Sequence, residues 1–345
     1  MHALNLQEQP LWLIGAIFLA AGVIVWIGGV RLTHVLDAIA EKTGLGRLFV
    51  GMLLLGVITS LPEVANVITA SANGAPQLAV NNLLGSAAIN ILLLALADAV
   101  IGRDAASSVV ADPATLMMCA LCMLVLAFVA AAVTVGDRAV FGVGLFSASI
   151  AVLSVAAFAL AMSYGKRAPW TLRDHSSDRA REAVAEVSKP LRRLILISAV
   201  AAIAIFAAGY ALSITGDIIA QRTGLGEGFV GFMLIGVATS MPELSTIVTA
   251  LKLRRHEMAF GQVLGTNFVN LSLFALADIV YPGGPVVNEL GRFEVLSALL
   301  GLSLVGVFLV GLLERRDSAI LRMGYDSALV IVLFFAGAGL LYAVR

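Results

Sequence analysis

The sequence predicts an all-α membrane protein in which ten transmembrane helices form two inverted five-helix repeats. Three observations predict this fold. The 345 residues are 60% hydrophobic and 13% charged, with a mean hydropathy of +0.99, whereas a soluble domain carries roughly 25% charged residues. A duplication follows: Gly56-Val57-Ile58-Thr59-Ser60-Leu61-Pro62-Glu63 recurs as Gly236-Val237-Ala238-Thr239-Ser240-Met241-Pro242-Glu243. The third observation is parity. Each copy falls in the second of five apolar segments, and an odd number of spans forces the second copy to insert upside down relative to the first.

The elements can be justified in order. Segment 11–30 has no charged residue and the length of about 20 residues that a spanning helix needs. Residues 1–10 lack Lys and Arg, so the segment reads as a span and not as a cleavable signal. Further spans are expected at 47–72, 78–100, 113–134, 139–163, 191–216, 227–252, 257–281, 292–313 and 321–344. Between the fifth and sixth lies the longest polar stretch, 165–190. It holds Lys166, Arg167, Arg173, Asp174, Asp178, Arg179, Arg181, Glu182, Glu186 and Lys189. The expected organisation is therefore a first repeat over 1–164, a linker over 165–190 and a second repeat over 191–345.

The connections after the odd-numbered spans, with their flanks, carry 18 of the 22 Lys and Arg residues. Positive charge marks the cytoplasmic side. The odd loops and the 165–190 linker are thus expected in the cytoplasm, and both termini outside. Formal net charge is zero, so bulk charge says nothing about a nucleic-acid partner, and none is expected.

The duplication extends beyond its core motif. Thr43-Gly44-Leu45-Gly46 matches Thr223-Gly224-Leu225-Gly226, and Ala95-Leu96-Ala97-Asp98 matches Ala275-Leu276-Ala277-Asp278. Between 43–98 and 223–278, 25 of 56 positions are identical without a gap. An ionisable residue within a membrane segment is a functional-site hypothesis. Glu63 and Glu243, in matching contexts, point to one site at the interface of two repeats.

Thr59, Ser60 and Glu63 share a helix face. Pro62 has no N–H and clashes with the carbonyl four residues back, so it should kink the helix and free carbonyls near Ile58 and Thr59. Freed carbonyls at membrane depth need a cavity or a partner. Thr239, Ser240, Pro242 and Glu243 repeat the pattern. In the next span of each half, Ser86 and Asn90 are four apart, as are Thr266 and Asn270, and nearby glycines allow close helix approach. The inventory is two carboxylates, two amides, several hydroxyls and freed carbonyls, all hard oxygen donors. Ca²⁺ takes about 6–8 such oxygens, and Na⁺ accepts the same ligand types. Without His, Cys or Met in the set, zinc, copper and iron fit poorly. Two carboxylates facing one dry site demand compensation. One Ca²⁺, two Na⁺ or two protons would each supply it.

Other polar residues are given structural readings. Cys119 and Cys122 read as small apolar helix residues, since no second pair accompanies them. Asp98 and Asp278 are expected at the membrane interface. Lys252, Arg254 and Arg255 are expected to serve orientation and lipid headgroups. His34, His175 and His256 receive no function.

These motifs resemble the sodium/calcium exchanger family of the calcium/cation antiporter superfamily, in its prokaryotic form. The family's two alpha-repeats read G-x-S/T-x-P-E followed by G-N-x-x-G-S-N-x-x-N/D. They correspond here to about 47–100 and 227–281, and the likeness extends over nearly the whole chain. The resemblance implies Glu63 and Glu243 as acidic ion ligands, Thr59, Ser60, Thr239 and Ser240 as hydroxyl and carbonyl ligands, and Ser86, Asn90, Thr266 and Asn270 as the remaining ligands. It also implies that the first and sixth spans are long tilted gating helices. Several positions depart from the pattern. Asn270 stands where many members have Asp, which disfavours potassium dependence. Ala87 replaces the Asn of the first G-S-N, which Asn267 keeps in the second. Asn81-Asn82 and Gly261-Gln262 replace the two Gly-Asn pairs.

The expectation is an inner-membrane antiporter, not an enzyme and without a cofactor. It would exchange Ca²⁺, moved outward, for Na⁺ by alternating access. A Ca²⁺/H⁺ antiporter with the same two-Glu site is the alternative, and a cation channel a more distant one, since acidic rings in channels usually arise from oligomer symmetry. A membrane-embedded hydrolase lacks both a zinc-ligand His cluster and a G-x-S-x-G elbow.

Overall fold

The structure, a computed structural model, describes residues 8–101, 113–164, 189–223, 229–314, 319–320 and 323–344. The linker expected over 165–190 lies outside the described residues except for Lys189 and Pro190. Apolar helices account for nearly all of the rest. In the first half, α1 (Leu11–Thr43) precedes a broken span: α2 (Arg47–Val50), a π-helix (Gly51–Leu55), α3 (Gly56–Thr59) and α4 (Leu61–Ala72). Three helices follow: α5 (Pro76–Ile101), α6 (Pro113–Val135) and α7 (Leu145–Tyr164). The second half repeats this order. It comprises α8 (Leu191–Thr223), a π-helix (Val230–Ile235), α9 (Gly236–Thr239), α10 (Met241–Lys252), α11 (His256–Val280), α12 (Arg292–Glu314) and α13 (Tyr325–Val344). Among the described residues, nine helical runs are long and apolar enough to cross a bilayer. The tenth expected span, 227–252, is the broken run that ends in α10.

Two antiparallel ribbons interrupt the helical pattern. β1 (Ala139–Val140) pairs with β2 (Val143–Gly144), and β3 (Ala319–Ile320) pairs with β4 (Met323–Gly324). They take up the first residues of the spans expected at 139–163 and 321–344, so α7 and α13 start later than the hydropathy suggests. The ribbons occupy matching places in the two halves, which carries the duplication well past residue 98.

Asp98 and Asp278, expected at the membrane interface because they end apolar runs, take on a structural role in the fold. Both are buried and tie one half to the ribbon of the other. Asp278 accepts hydrogen bonds from the Gly144 N–H at 2.5 Å, the Val286 N–H at 2.6 Å and the Ser147 hydroxyl at 3.1 Å. Asp98 accepts from the Ser327 hydroxyl at 2.8 Å and the Gly324 N–H at 3.2 Å. A hairpin at a helix start leaves backbone donors to be satisfied, and these aspartates satisfy them.

The first and sixth spans are long, as the resemblance implies, and run past the boundaries that hydropathy sets at residues 30 and 216. α1 and α8 each have 33 residues, about 50 Å at 1.5 Å per residue, well beyond a hydrocarbon core of about 30 Å. Arg31 ends the apolar run of α1, yet the helix continues because Leu32, Val35, Leu36 and Ile39 recur at helical spacing and bury against the core. Gly44, at φ 69°, ends it in the left-handed conformation. α1 and α8 cross where Gly28 meets Ile205 and pack on α10 and α4 respectively.

Arg255 also departs from its expected headgroup role. Asp37 of α1, 1% exposed, accepts hydrogen bonds from Arg47 Nε at 2.9 Å and Arg255 Nε at 3.0 Å. One carboxylate thus joins α1 to the starts of α2 and α11. Cys119 and Cys122 are buried free thiols within the apolar core.

At the centre lie α5 and α11, and the two halves interlock there. α11 packs against α2, the first π-helix and α3, while α5 packs against the second π-helix and α9. Small residues make this possible, as expected. A Cβ at Gly85 would meet the Phe232 backbone, and one at Gly265 the Met52 backbone. Without a hydrophobic driving force between helices in lipid, such close backbone approach is the main source of packing energy.

Candidate functional site

The site grows from the two broken spans. Ser60 and Ser240 are the single residues between the paired short helices. Pro62 and Pro242 offer no N–H to the carbonyls of Ile58 and Ala238, four residues earlier, so the ladder stops there. The interruption is more extensive than a proline kink. A π-helix precedes the break in each half, and such segments are frequent at functional sites. The wider turns shift the following residues around the helix axis. Pro62 and Pro242 revealed the breaks in the sequence; no residue pattern marked the π-helices.

All ten residues expected in the site, namely Glu63, Glu243, Thr59, Ser60, Thr239, Ser240, Asn90, Asn270, Ser86 and Thr266, are 0% exposed. Several of them meet across the repeat boundary. Glu63 Oε1 accepts a hydrogen bond from the Ser86 hydroxyl at 2.8 Å, and Ser86 Oγ lies 3.0 Å from Ser240 Oγ. Thr59 Oγ1 and Thr266 Oγ1 are 3.5 Å apart. Thr239 stands beside Glu63 and Thr59 beside Glu243, and the two carboxyl groups interact electrostatically. Ser60 donates its hydroxyl to the Gly56 carbonyl of its own helix at 2.8 Å.

The remaining polar atoms stand out for what they lack. Glu63 Oε2, both carboxyl oxygens of Glu243, and both amide atoms of Asn90 and of Asn270 are buried without a hydrogen-bond partner among the described residues. Each buried unsatisfied group costs about 1–3 kcal/mol, and native interiors hold few of them. These seven atoms belong to four fully buried residues, two from each half, and Asn81, Asn82, Gln262 and Asn267 beside them each carry one more such atom. Among the described residues, no three His, Cys, Asp or Glu side chains gather into a metal cluster. The donors gathered here are two carboxylates with hydroxyl, amide and carbonyl oxygens, a set that suits hard cations.

Sequence reasoning missed a second layer around these residues. Asn82 accepts a hydrogen bond from the Thr239 hydroxyl at 3.1 Å. Gln262 donates to the Thr246 hydroxyl. Asn81 donates to the buried Glu294 carboxylate at 2.6 Å, and Glu294 accepts the Gly291 N–H at 2.6 Å. The departures at 81–82 and 261–262 were visible against the pattern of the family that the sequence resembles. Nothing in the sequence marked Glu294.

Known proteins place this architecture. CaxA of Alkalimonas amylolytica is 26% identical over 322 residues, which is 91% of this chain and 97% of CaxA. The inner membrane protein YrbG of Escherichia coli (strain K12) is 28% identical over 257 residues, 73% of this chain and 75% of YrbG. The fold is similar to that of the sodium-calcium exchanger NCX_Mj soaked with 2.5 mM Na⁺ and 0.1 mM Sr²⁺, at a TM-score of 0.65 and 17% identity, over 95% of this chain and 98% of that one. The profile of the sodium/calcium exchanger protein family matches residues 13–164 and 193–341, both halves nearly in full. The duplicated halves, the interlocked core and this match together show that the chain belongs to the sodium/calcium exchanger protein family.

Proposed function

We propose that the protein is a secondary transporter that exchanges Ca²⁺ for Na⁺ by alternating access. Its transported cations would bind Glu63, Glu243, Thr59, Ser60, Thr239, Ser240, Ser86, Thr266, Asn90 and Asn270. The observation that supports this most directly is the set of buried oxygens on Glu63, Glu243, Asn90 and Asn270 that have no hydrogen-bond partner among the described residues. Two carboxylates in a dry interior need about two positive charges to offset them. A dehydrated Ca²⁺ supplies both and takes the neighbouring hydroxyl, amide and carbonyl oxygens as ligands.

Coupling follows from the same electrostatics. The doubly charged site without cations carries a large desolvation penalty when it closes. The transporter would cross between its two open states only when neutralised, by one Ca²⁺ or by counter-ions. That requirement turns two independent leaks into an exchange. The family to which the chain belongs supports Na⁺ as the counter-ion; protons would neutralise the same pair.

The protein would reside in the inner membrane, with the 165–190 linker in the cytoplasm and both termini outside, a placement supported by the 18 of 22 Lys and Arg residues on one side. It would extrude Ca²⁺. The test is Ca²⁺ flux into vesicles holding purified protein, driven in turn by an imposed Na⁺ gradient and an imposed pH gradient. Flux that follows the Na⁺ gradient is expected. Flux driven by pH and indifferent to Na⁺ would replace the counter-ion by H⁺, and absence of Ca²⁺ flux under both gradients would end the proposal.

A further inference from the structure

One matched pair of positions in the repeats does different work in each half. Asn82 on α5 corresponds to Gln262 on α11. Both are 0% exposed, yet they reach different threonines. Asn82 Oδ1 accepts the Thr239 hydroxyl at 3.1 Å, across the repeat boundary. Gln262 is one methylene longer and donates to the Thr246 hydroxyl, within its own half and beyond Glu243.

The protons of the two matched threonines therefore have different destinations. Thr59 donates to the Leu55 carbonyl at 2.9 Å, a good backbone bond. Thr239 has only the Gly236 carbonyl at 3.4 Å as a backbone acceptor, a poor one by distance. Asn82 thus supplies the acceptor that the second half's backbone does not. The Asn82 amide nitrogen is buried with no partner among the described residues, so the bond to Thr239 is what fixes the rotation of that amide among them.

A threonine hydroxyl has one proton and two lone pairs. Thr239 stands beside Glu63. While its proton points at Glu63, its lone pairs face away. To become a cation ligand beside Glu63, the hydroxyl must send that proton elsewhere.

We infer that Asn82 is the positioning residue for Thr239: its amide oxygen takes the Thr239 proton and turns the hydroxyl's lone pairs toward a divalent cation held beside Glu63. Asn82 acts through Thr239 and does not itself touch the cation. Gln262 has no such role for Thr59, whose proton the Leu55 carbonyl already takes. The inference rests on the proposed reading of Glu63 and Thr239 as cation ligands.

The test is Ca²⁺–Ca²⁺ exchange by purified protein in vesicles, which needs no counter-ion, measured for Asn82→Leu, Thr239→Val, the double variant and Gln262→Leu. Loss of a hydrogen bond that orients a ligand predicts an increase in KM for Ca²⁺ of about tenfold in Asn82→Leu, with kcat within about twofold of wild type. Thr239→Val should show a similar increase, and the double variant should be no worse than Thr239→Val alone. Gln262→Leu should leave KM within about twofold. A merely structural role for Asn82 predicts losses that multiply in the double variant, and that result overturns the inference. So does an unchanged KM in Asn82→Leu beside a raised KM in Thr239→Val. An unchanged KM in Thr239→Val overturns the ligand reading beneath it as well. Should Asn82→Leu fail to insert, Asn82→Ser, polar but too short to reach Thr239, carries the same test.

Discussion

Replacing Glu243 by Gln separates the stability of the protein from its affinity for cations. Glu243 is 0% exposed, and neither carboxyl oxygen has a hydrogen-bond partner among the described residues. The substitution leaves a side-chain oxygen beside the Thr59 hydroxyl and removes one of two interacting buried acids. Without Ca²⁺, the variant should be at least as stable as wild type. With Ca²⁺ the sign reverses. Removing one partner of a buried charge pair costs about 3–5 kcal/mol, at least about a hundredfold in Kd. At a Ca²⁺ concentration of about 100 times the wild-type Kd, binding stabilises the wild type by about 2.7 kcal/mol. A variant whose Kd has risen about a hundredfold gains only about 0.4 kcal/mol at that concentration. Thermal unfolding in detergent with and without Ca²⁺ reads both effects, and vesicle uptake reads their result for transport, which should be abolished. A Glu243→Gln variant that keeps the full Ca²⁺-dependent stabilisation and wild-type uptake would refute the reasoning.

Other substitutions probe separate features. Glu63→Gln should also abolish Ca²⁺ uptake while the protein still inserts; wild-type uptake would remove Glu63 from the ligand set. Asn270→Asp adds a third acid to the buried group, so cation preference or the charge moved per cycle should change, as read by transport currents. An identical ion profile would place Asn270 outside the pocket. Asp37→Asn strands Arg47 and Arg255, whose side chains are 34% and 15% exposed. The expected loss of stability is on the order of 3 kcal/mol, reduced by the partial solvation of Arg47, and an unchanged unfolding temperature would show that the ion pairs contribute nothing. Gly265→Ala drives a methyl group into the Met52 backbone and should destabilise by at least about 1–3 kcal/mol, visible as a lower unfolding temperature. Stability equal to wild type would mean that the helices separate freely.

Much of the architecture could be read from residue order, because a lipid-spanning helix has a composition unlike anything else. The duplication located the centre, since Glu63 and Glu243 share a context that chance does not reproduce. Features that depend on geometry were out of reach. The π-helices have no composition of their own; each lies against the central helix of the opposite half. Asp98 and Asp278 looked interfacial because they end apolar runs, and only the folded chain reveals the ribbons whose amides they receive. α1 continues past Arg31 because burial on one face tolerates charge on another. Asp37, Arg47 and Arg255 are scattered along the chain, so their union belongs to tertiary structure alone.

The interlocked centre also bears on how the protein is made. A ribosome that has delivered only residues 1–164 has made α3 and α5 before either has its neighbour from the other half, because α11 and α9 lie in the part still to be translated. The acidic heart of the nascent chain lacks its cross-repeat partners until α9 and α11 have been made. Synthesis can start with one half, but maturation belongs to the whole polypeptide.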